Sequence, residues 1–184
     1  MRLAVIALMV AGAGLGALSA PAGHGTVGAG VLRANGIGTV RFGLSEARAV
    51  GELSALFGAP GARGVNAGCG PRYTEVEWND LVAEFRLGTF SGYRYVRGGW
   101  RMLGAPPLHE LPTSKSRLRR LGTAKGISIG STLARARIAY GSLRQTAAEE
   151  WTTPDGITLA ANANIGKMPP TRIYELRVGT CGDF

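Results

Sequence analysis

The sequence predicts an α+β fold: two tandem strand–helix–antiparallel-meander repeats, with the helices packed on antiparallel sheet. Three observations carry that prediction. A short alternating strand followed by a Gly-terminated helix occurs twice, at Gly36–Pro60 and at Gly126–Gly141. After each helix come alternating apolar and polar segments separated by turn residues, the pattern of antiparallel strands. Between the two units, residues 97–123 have the Pro, Gly and charge content of a linker. The chain of 184 residues then divides into a signal peptide (1–22), a flexible N-terminal segment (23–35), a first repeat (36–96), a basic Pro/Gly linker (97–123) and a second repeat (124–184).

At the N-terminus, Arg2 supplies a short positive region, Leu3 to Leu18 is apolar, and Ala20-Pro21-Ala22 offers a small-residue cleavage site before Gly23. The apolar run is Gly-rich and shorter than the roughly 20 residues of a spanning helix. No Cys stands near the cleavage point to take a lipid. Secretion or cell-envelope association is therefore expected. In an oxidising compartment the chain's two cysteines, Cys69 and Cys181, are expected to pair with each other. Such a bond would close a loop worth roughly 4–5 kcal/mol in the chain-entropy model. An intermolecular bridge and two buried thiols are the alternatives.

In the first unit, Val40 and Phe42 alternate with Thr39 and Arg41, the period of a half-buried strand. Gly43 breaks the strand, and Ser45 is a good N-cap with Glu46 in the first helical turn. Val50, Leu53, Leu56 and Phe57 recur at helical spacing until Gly58 and Pro60 end the helix. Downstream, Val76 and Trp78 face one way and Glu75 and Glu77 the other. Asn79-Asp80 suits a hairpin turn, and Leu81, Ala83 and Phe85 continue the apolar face before a third strand, FSGYRYV.

In the second unit Ile127 and Ile129 alternate, Gly130 breaks the strand and Ser131 or Thr132 can cap. Leu133, Ala136 and Tyr140 form the apolar helix face before Gly141. The strands TAAEEW, ITLAANA and RIYELRV follow, with TTPDG as a turn. The stretch Gly126–Gly130, GISIG, also matches the G-x-S-x-G of a hydrolase nucleophile elbow. The aligned position in the first unit is Arg41, so the pattern does not need Ser128. The preceding LRRLGTAK is no buried strand. A triad histidine would follow the serine, yet His24 and His109 both precede it. Ser128 is expected to be a solvent-facing strand residue.

Phe42-Gly43-Leu44-Ser45 through Gly58-Ala59-Pro60, and Ile129-Gly130-Ser131 through Gly141, resemble the β-lactamase inhibitory protein family. They are also similar to small outer-membrane assembly lipoproteins with a Gly-x-Ser/Thr helix start and a Gly-x-Pro stop. The CG…W…T…G…C layout is similar to that of exported two-repeat proteins of high-GC Gram-positive bacteria. The resemblance implies a two-repeat binding module and no particular contact residue. It departs from the inhibitor pattern in cysteine placement, since there each repeat closes its own disulfide.

The net charge of +9 is local: between Arg86 and Arg137 there are eleven basic residues against Glu110 alone. Tyr93, Tyr95 and Trp100 interleave with Arg94, Arg97 and Arg101, an arrangement found on nucleic-acid platforms. An exported protein meets little nucleic acid, so none is expected as partner. A half-buried strand with a wet face reads the same way. Two function classes follow, both without cofactor. One is an exported, non-enzymatic module that binds an extracellular or envelope protein, as an inhibitor or accessory factor, through Tyr93, Tyr95, Trp100 and Trp151. The other is a binder of envelope polyanions or anionic headgroups through Arg94, Arg97, Arg101, Lys115, Arg117, Arg119 and Arg120. Two lone histidines, with no HExxH or CxxC, make no recognisable metal site. Carboxylate pairs such as Glu75/Glu77 and Glu149/Glu150 read as ordinary surface, and an unrecognised hydrolase is the remaining alternative.

Overall fold

A computed structural model describes residues 30–69, 73–96, 121–161 and 171–179. It corrects the predicted fold class. Among the described residues, strand accounts for 47% and helix for 19%, with two helices and two sheets, in place of helices layered on one sheet in two strand–helix repeats. The elements are β1 (Val31–Arg33), β2 (Gly36–Ile37), β3 (Val40–Arg41), α1 (Glu46–Phe57), β4 (Ala62–Val65), a 3-10 turn (Ala67–Cys69), β5 (Tyr73–Trp78), β6 (Leu81–Arg86) and β7 (Thr89–Val96). Then come β8 (Gly122–Thr123), α2 (Leu133–Tyr140), β9 (Arg144–Ala147), β10 (Glu150–Thr152), β11 (Thr158–Ala161) and β12 (Ile173–Val178).

The small sheet runs β3-β2-β1-β8, with β1 and β8 parallel. It takes in only one of the two segments that the sequence assigns to repeat strands. Val40 heads β3, but Phe42 lies beyond that strand and stacks edge-on against Phe90 at 4.9 Å. Ile127 and Ile129 form no strand at all. Their chain turns back on itself, with the Ile127 carbonyl accepting from the Thr123 amide at 2.7 Å and the Ser128 carbonyl from the Ser131 amide at 3.0 Å. Alternation over two or three residues does not distinguish a strand from a turn that buries alternate side chains.

The large sheet is antiparallel throughout, in the order β4-β5-β6-β7-β12-β11-β10-β9. Four strands from before residue 97 meet four from after residue 143, and the seam is β7 against β12. Cross-strand register puts Val76, Trp78, Ala83, Phe85, Tyr93, Tyr95, Leu176 and Leu159 on one face. This face packs with Leu53 and Phe57 of α1, Ala136 of α2 and Ile37 and Val40 of the small sheet in one core. The Trp78 indole donates to the Gly58 carbonyl at 2.9 Å, tying the end of α1 to β5. The helix starts differ. Thr132 caps α2 by accepting from the Arg135 amide at 3.1 Å. Ser45 makes no side-chain cap; its backbone bridges to Thr89, and the Glu46 amide donates to the Gly88 carbonyl at 2.9 Å.

Two edges bound this sheet. Every residue of β9 is exposed, a bulge separates Glu150 from Trp151 where β10 pairs with it, and the Gln145 amide donates to the Ala147 and Ala148 carbonyls at 3.1 and 3.3 Å. At the seam, Gly92 and Gly179 allow a close crossing of backbones: a Cβ on Gly92 would stand 2.5 Å from the Gly179 carbonyl oxygen. The Gly92→Ala variant should lose about 1–3 kcal/mol through this overlap, read as a lower urea midpoint. Ile138→Ala, at an 84% exposed position of α2, should stay within about 0.5 kcal/mol.

Candidate functional site

Strand parity that sends the core residues to the helix side sends a different set to the opposite face, which carries neither α1 nor α2. That set is Tyr73, Glu75 and Glu77 on β5, Val82 and Glu84 on β6, Arg94 on β7, Glu175 and Arg177 on β12, and Glu150 on β10. Five carboxylates meet two guanidiniums here, while Arg86 and Arg144 stand exposed at the margins. Burial is unusually deep for charged groups: Glu75 and Glu77 are 1% exposed and Glu84 is fully buried. Buried charges demand partners, and most of the set has them.

The partners form a row across the sheet. Glu84 accepts from the Tyr73 hydroxyl at 2.6 Å and from Arg94 Nη2 at 2.9 Å. Arg94 Nε lies 3.8 Å from Glu175, and Arg177 spans Glu175 at 3.6 Å and Glu150 at 2.8 Å. Burial raises the Glu84 carboxyl above its ordinary range, opposed by the Tyr73 hydrogen bond and by Arg94. Glu175 is raised in the same way against the pull of Arg177 and Arg94. At the β4 end of the row, Glu75 accepts from the Asn66 amide at 2.7 Å. Glu77 is different: its Oε1 is buried and has no hydrogen-bond partner. Burial, then the nearby Glu75 and Asp80 charges, push its carboxyl up to about 7.

The aromatic docking surface expected from sequence is corrected. Tyr93 is fully buried, Tyr95 and Trp151 are nearly so, and all three belong to the core on the helix side. Burial raises the Tyr93 hydroxyl, and it pushes Tyr95 up to about 12 against a hydrogen bond with Ser128. Trp100 lies outside the described residues. Of the expected polyanion set, Arg94 is buried and ion-paired within the row. Arg97, Arg101, Lys115, Arg117, Arg119 and Arg120 lie outside the described residues.

Ser128 is neither a strand residue nor solvent-facing. It is half-buried, its hydroxyl donates to the Leu121 carbonyl, and its amide donates to Ser131 Oγ at 3.1 Å. A hydroxyl committed to a backbone carbonyl is not poised as a nucleophile. Cys69 ends the 3-10 turn; Cys181 lies outside the described residues. Among the described residues, no group of three or more His, Cys, Asp or Glu side chains is arranged to hold a metal.

The chain matches no protein-family model, no curated protein and no solved structure. The site therefore stands on its own geometry. Sequence reading places Glu75 and Glu77 opposite the core face but takes them as surface. The signal it leaves unused is that Glu84, Arg94, Glu175 and Arg177 share their parity once the strands are in register.

Two tests address the row. Removing one partner of a buried pair strands the other, so Arg94→Met should lose about 3–5 kcal/mol. Adding Glu84→Gln to Arg94→Met should recover most of that loss, read by urea denaturation. For Glu77 the folded carboxyl holds its proton well above the ordinary 4.5, so the folded state binds more protons than the unfolded one between those limits. Stability should therefore fall as pH rises from about 4.5 through 7, by up to about 1.4 kcal/mol per pH unit. Glu77→Gln should flatten this slope and raise the melting temperature most at about pH 8, whereas an unchanged slope would assign it to other groups.

Proposed function

We propose that this chain is an exported binding module for a protein partner, of inhibitor or envelope-accessory type, and that the face of its large sheet opposite α1 and α2 is the recognition surface. The observation carrying this reading is the ion-paired row from Glu84 through Arg94, Glu175 and Arg177 to Glu150. Side chains already fixed by one another have little freedom left to lose on binding, which favours affinity and register. Its outer members, Arg177 and Glu150, are 18% and 30% exposed and so within a partner's reach.

Export rests on the Arg2, Leu3–Leu18 and Ala20-Pro21-Ala22 pattern. An intramolecular Cys69–Cys181 bond fits both that destination and the fold. The Tyr73 hydroxyl lies 3.4 Å from the Gly179 carbonyl, so the chain four residues beyond Cys69 meets the chain two residues before Cys181. Intact mass measured before and after reduction should differ by two hydrogens on a monomer. A mass shift only in a dimer would show an intermolecular bridge instead.

The function is tested by immobilising the protein and exposing it to secreted and envelope fractions at low and high salt. One protein should be retained stoichiometrically at high salt. Glu150→Lys, a reversal at the half-exposed end of the row, should weaken capture by about tenfold or more with little change in melting temperature. Tyr93→Ala should instead unfold the core. Retention of the partner by Glu150→Lys at wild-type strength would reject this face. Retention of anionic polymer or lipid only at low salt would move the function to the basic stretch between Arg86 and Arg137.

A further inference from the structure

The tip of the β6–β7 hairpin breaks two rules at once, and a groove lies beside it. Arg86 pairs with Thr89 across the turn, so Leu87 and Gly88 form a two-residue loop. Both have positive φ, 53° and 74°, a backbone that such loops usually give to Asn-Gly. The β5–β6 hairpin keeps that preference, with Asn79 at the same φ of 53°. Leucine has no short polar group to settle its backbone there, and its bulk makes the left-handed conformation costly. Burial does not offset this, because Leu87 is 63% exposed.

Among the described residues three large apolar side chains are exposed, Val65, Leu87 and Ile138. Two of them flank one strand position. Val65 stands opposite Thr74 in the β4–β5 pairing. Thr74, Leu87, Gly88 and Glu46 are the described residues that line a groove of about 280 Å³. Its walls are tied together: the Glu46 amide donates to the Gly88 carbonyl at 2.9 Å, Ser45 bridges to Thr89, and the Thr74 hydroxyl donates to Glu46 Oε2 at 3.2 Å. A surface fixed in this way loses little freedom when a partner settles on it.

Charge selects the occupant. The Glu46 carboxylate is already engaged, by Thr74 and by Arg63 Nη2 at 2.5 Å, and so offers little to a cation. The Arg63 side chain is 66% exposed, and a guanidinium has five N–H donors, enough to take a second carboxylate beside the first. Arg86, next to Leu87, is exposed as well. The rim is thus basic around an apolar lip, on a chain of net charge +9. An apolar side chain flanked by carboxylates is complementary to both.

We propose that this groove docks a protein partner through an acidic-apolar segment, with an apolar side chain packed on Leu87 and an adjacent Asp or Glu on Arg63. The proposal goes beyond the recognition surface described above and does not depend on it. Thr74 pairs with Phe85, a core residue on the α1 side of the sheet, so the groove lies away from the charged row. The unfavourable backbone of Leu87 is the consequence of holding an apolar anchor in the open.

A short peptide with a central Leu-Phe pair between Asp and Glu residues, titrated into the isotope-labelled protein, tests the groove by nuclear magnetic resonance. Its counterpart with Lys in place of the acidic residues is the control. Amide signals of Leu87, Gly88 and Thr89 should move with the acidic peptide and stay in place with the basic one. Leu87→Asn should weaken the acidic peptide by about tenfold and raise the melting temperature, since Asn suits the turn. Arg63→Gln should weaken it too and flatten its salt dependence. Ile138→Asn, at the exposed apolar site on α2, should leave the affinity unchanged. Wild-type affinity in Leu87→Asn would overturn the proposal and leave Leu87 a purely structural residue. Equal binding of the two peptides, or of neither, would overturn it as well. Should Leu87→Asn fail to fold, Arg63→Gln decides by the same criterion. The charged row is tested separately, by Glu150→Lys.

Discussion

β7 and β12 pair at the middle of the eight-stranded sheet, and among the described residues no other ladder of that sheet joins the strands before residue 97 to those after residue 143. The pairing fixes parity for the whole layer. With Tyr93 opposite Val178 and Tyr95 opposite Leu176, the core positions Ala83, Val76 and Leu159 fall on the helix side. A slip of one residue would turn Tyr93 and Leu176 toward the charged row and send Arg94 and Glu175 into the core. The close crossing of Gly92 and Gly179 marks the same seam, because side chains there would hold the backbones apart.

The charged row follows from that register. Arg94 belongs to β7 and reaches Glu84 on β6 and Glu175 on β12, so it bridges the two halves at the seam. Such a row contributes little net stability relative to an apolar layer, since desolvation offsets most of the attraction. What it adds is a definite arrangement of charge, with each guanidinium placed between carboxylates. The helix side of the sheet thus carries most of the apolar core, and the opposite side carries the charge. That division explains why the aromatic residues cannot serve as a docking surface: they are the interior that the sheet is built on.

Much of the local structure was legible. The spacing of Leu53 and Phe57 with Gly58 and Pro60 beyond them, and of Leu133, Ala136 and Tyr140 before Gly141, marks the two helices. Asn79-Asp80 marks the β5–β6 hairpin, where Asn79 adopts a positive φ of 53°. The fold class was not legible, because short alternating runs such as Gly126–Gly130 carry no information on whether they join a sheet or fold into a turn. The fate of the second face was also hidden. Glu75 and Glu77 read as solvent-side residues of an amphipathic strand, and only register with β4, β6 and β7 shows which neighbours they have. Tyr93 and Arg94 illustrate the same limit: adjacent in the chain, they part to opposite sides, and the sequence does not say which side is closed.

A sheet whose outermost strands among the described residues are β4 and β9 can in principle grow without end, β9 of one molecule adding to β4 of the next. The features at its margins oppose that polymerisation. Both edge strands are four residues long and carry arginine, Arg144 on β9 and Arg63 on β4. The bulge between Glu150 and Trp151 disturbs the regular line a newcomer would need, and Gln145 already occupies the Ala147 and Ala148 carbonyls with its own amide. At a short, charged, self-capped rim, a visiting strand finds few hydrogen bonds to share, which disfavours edge-to-edge addition.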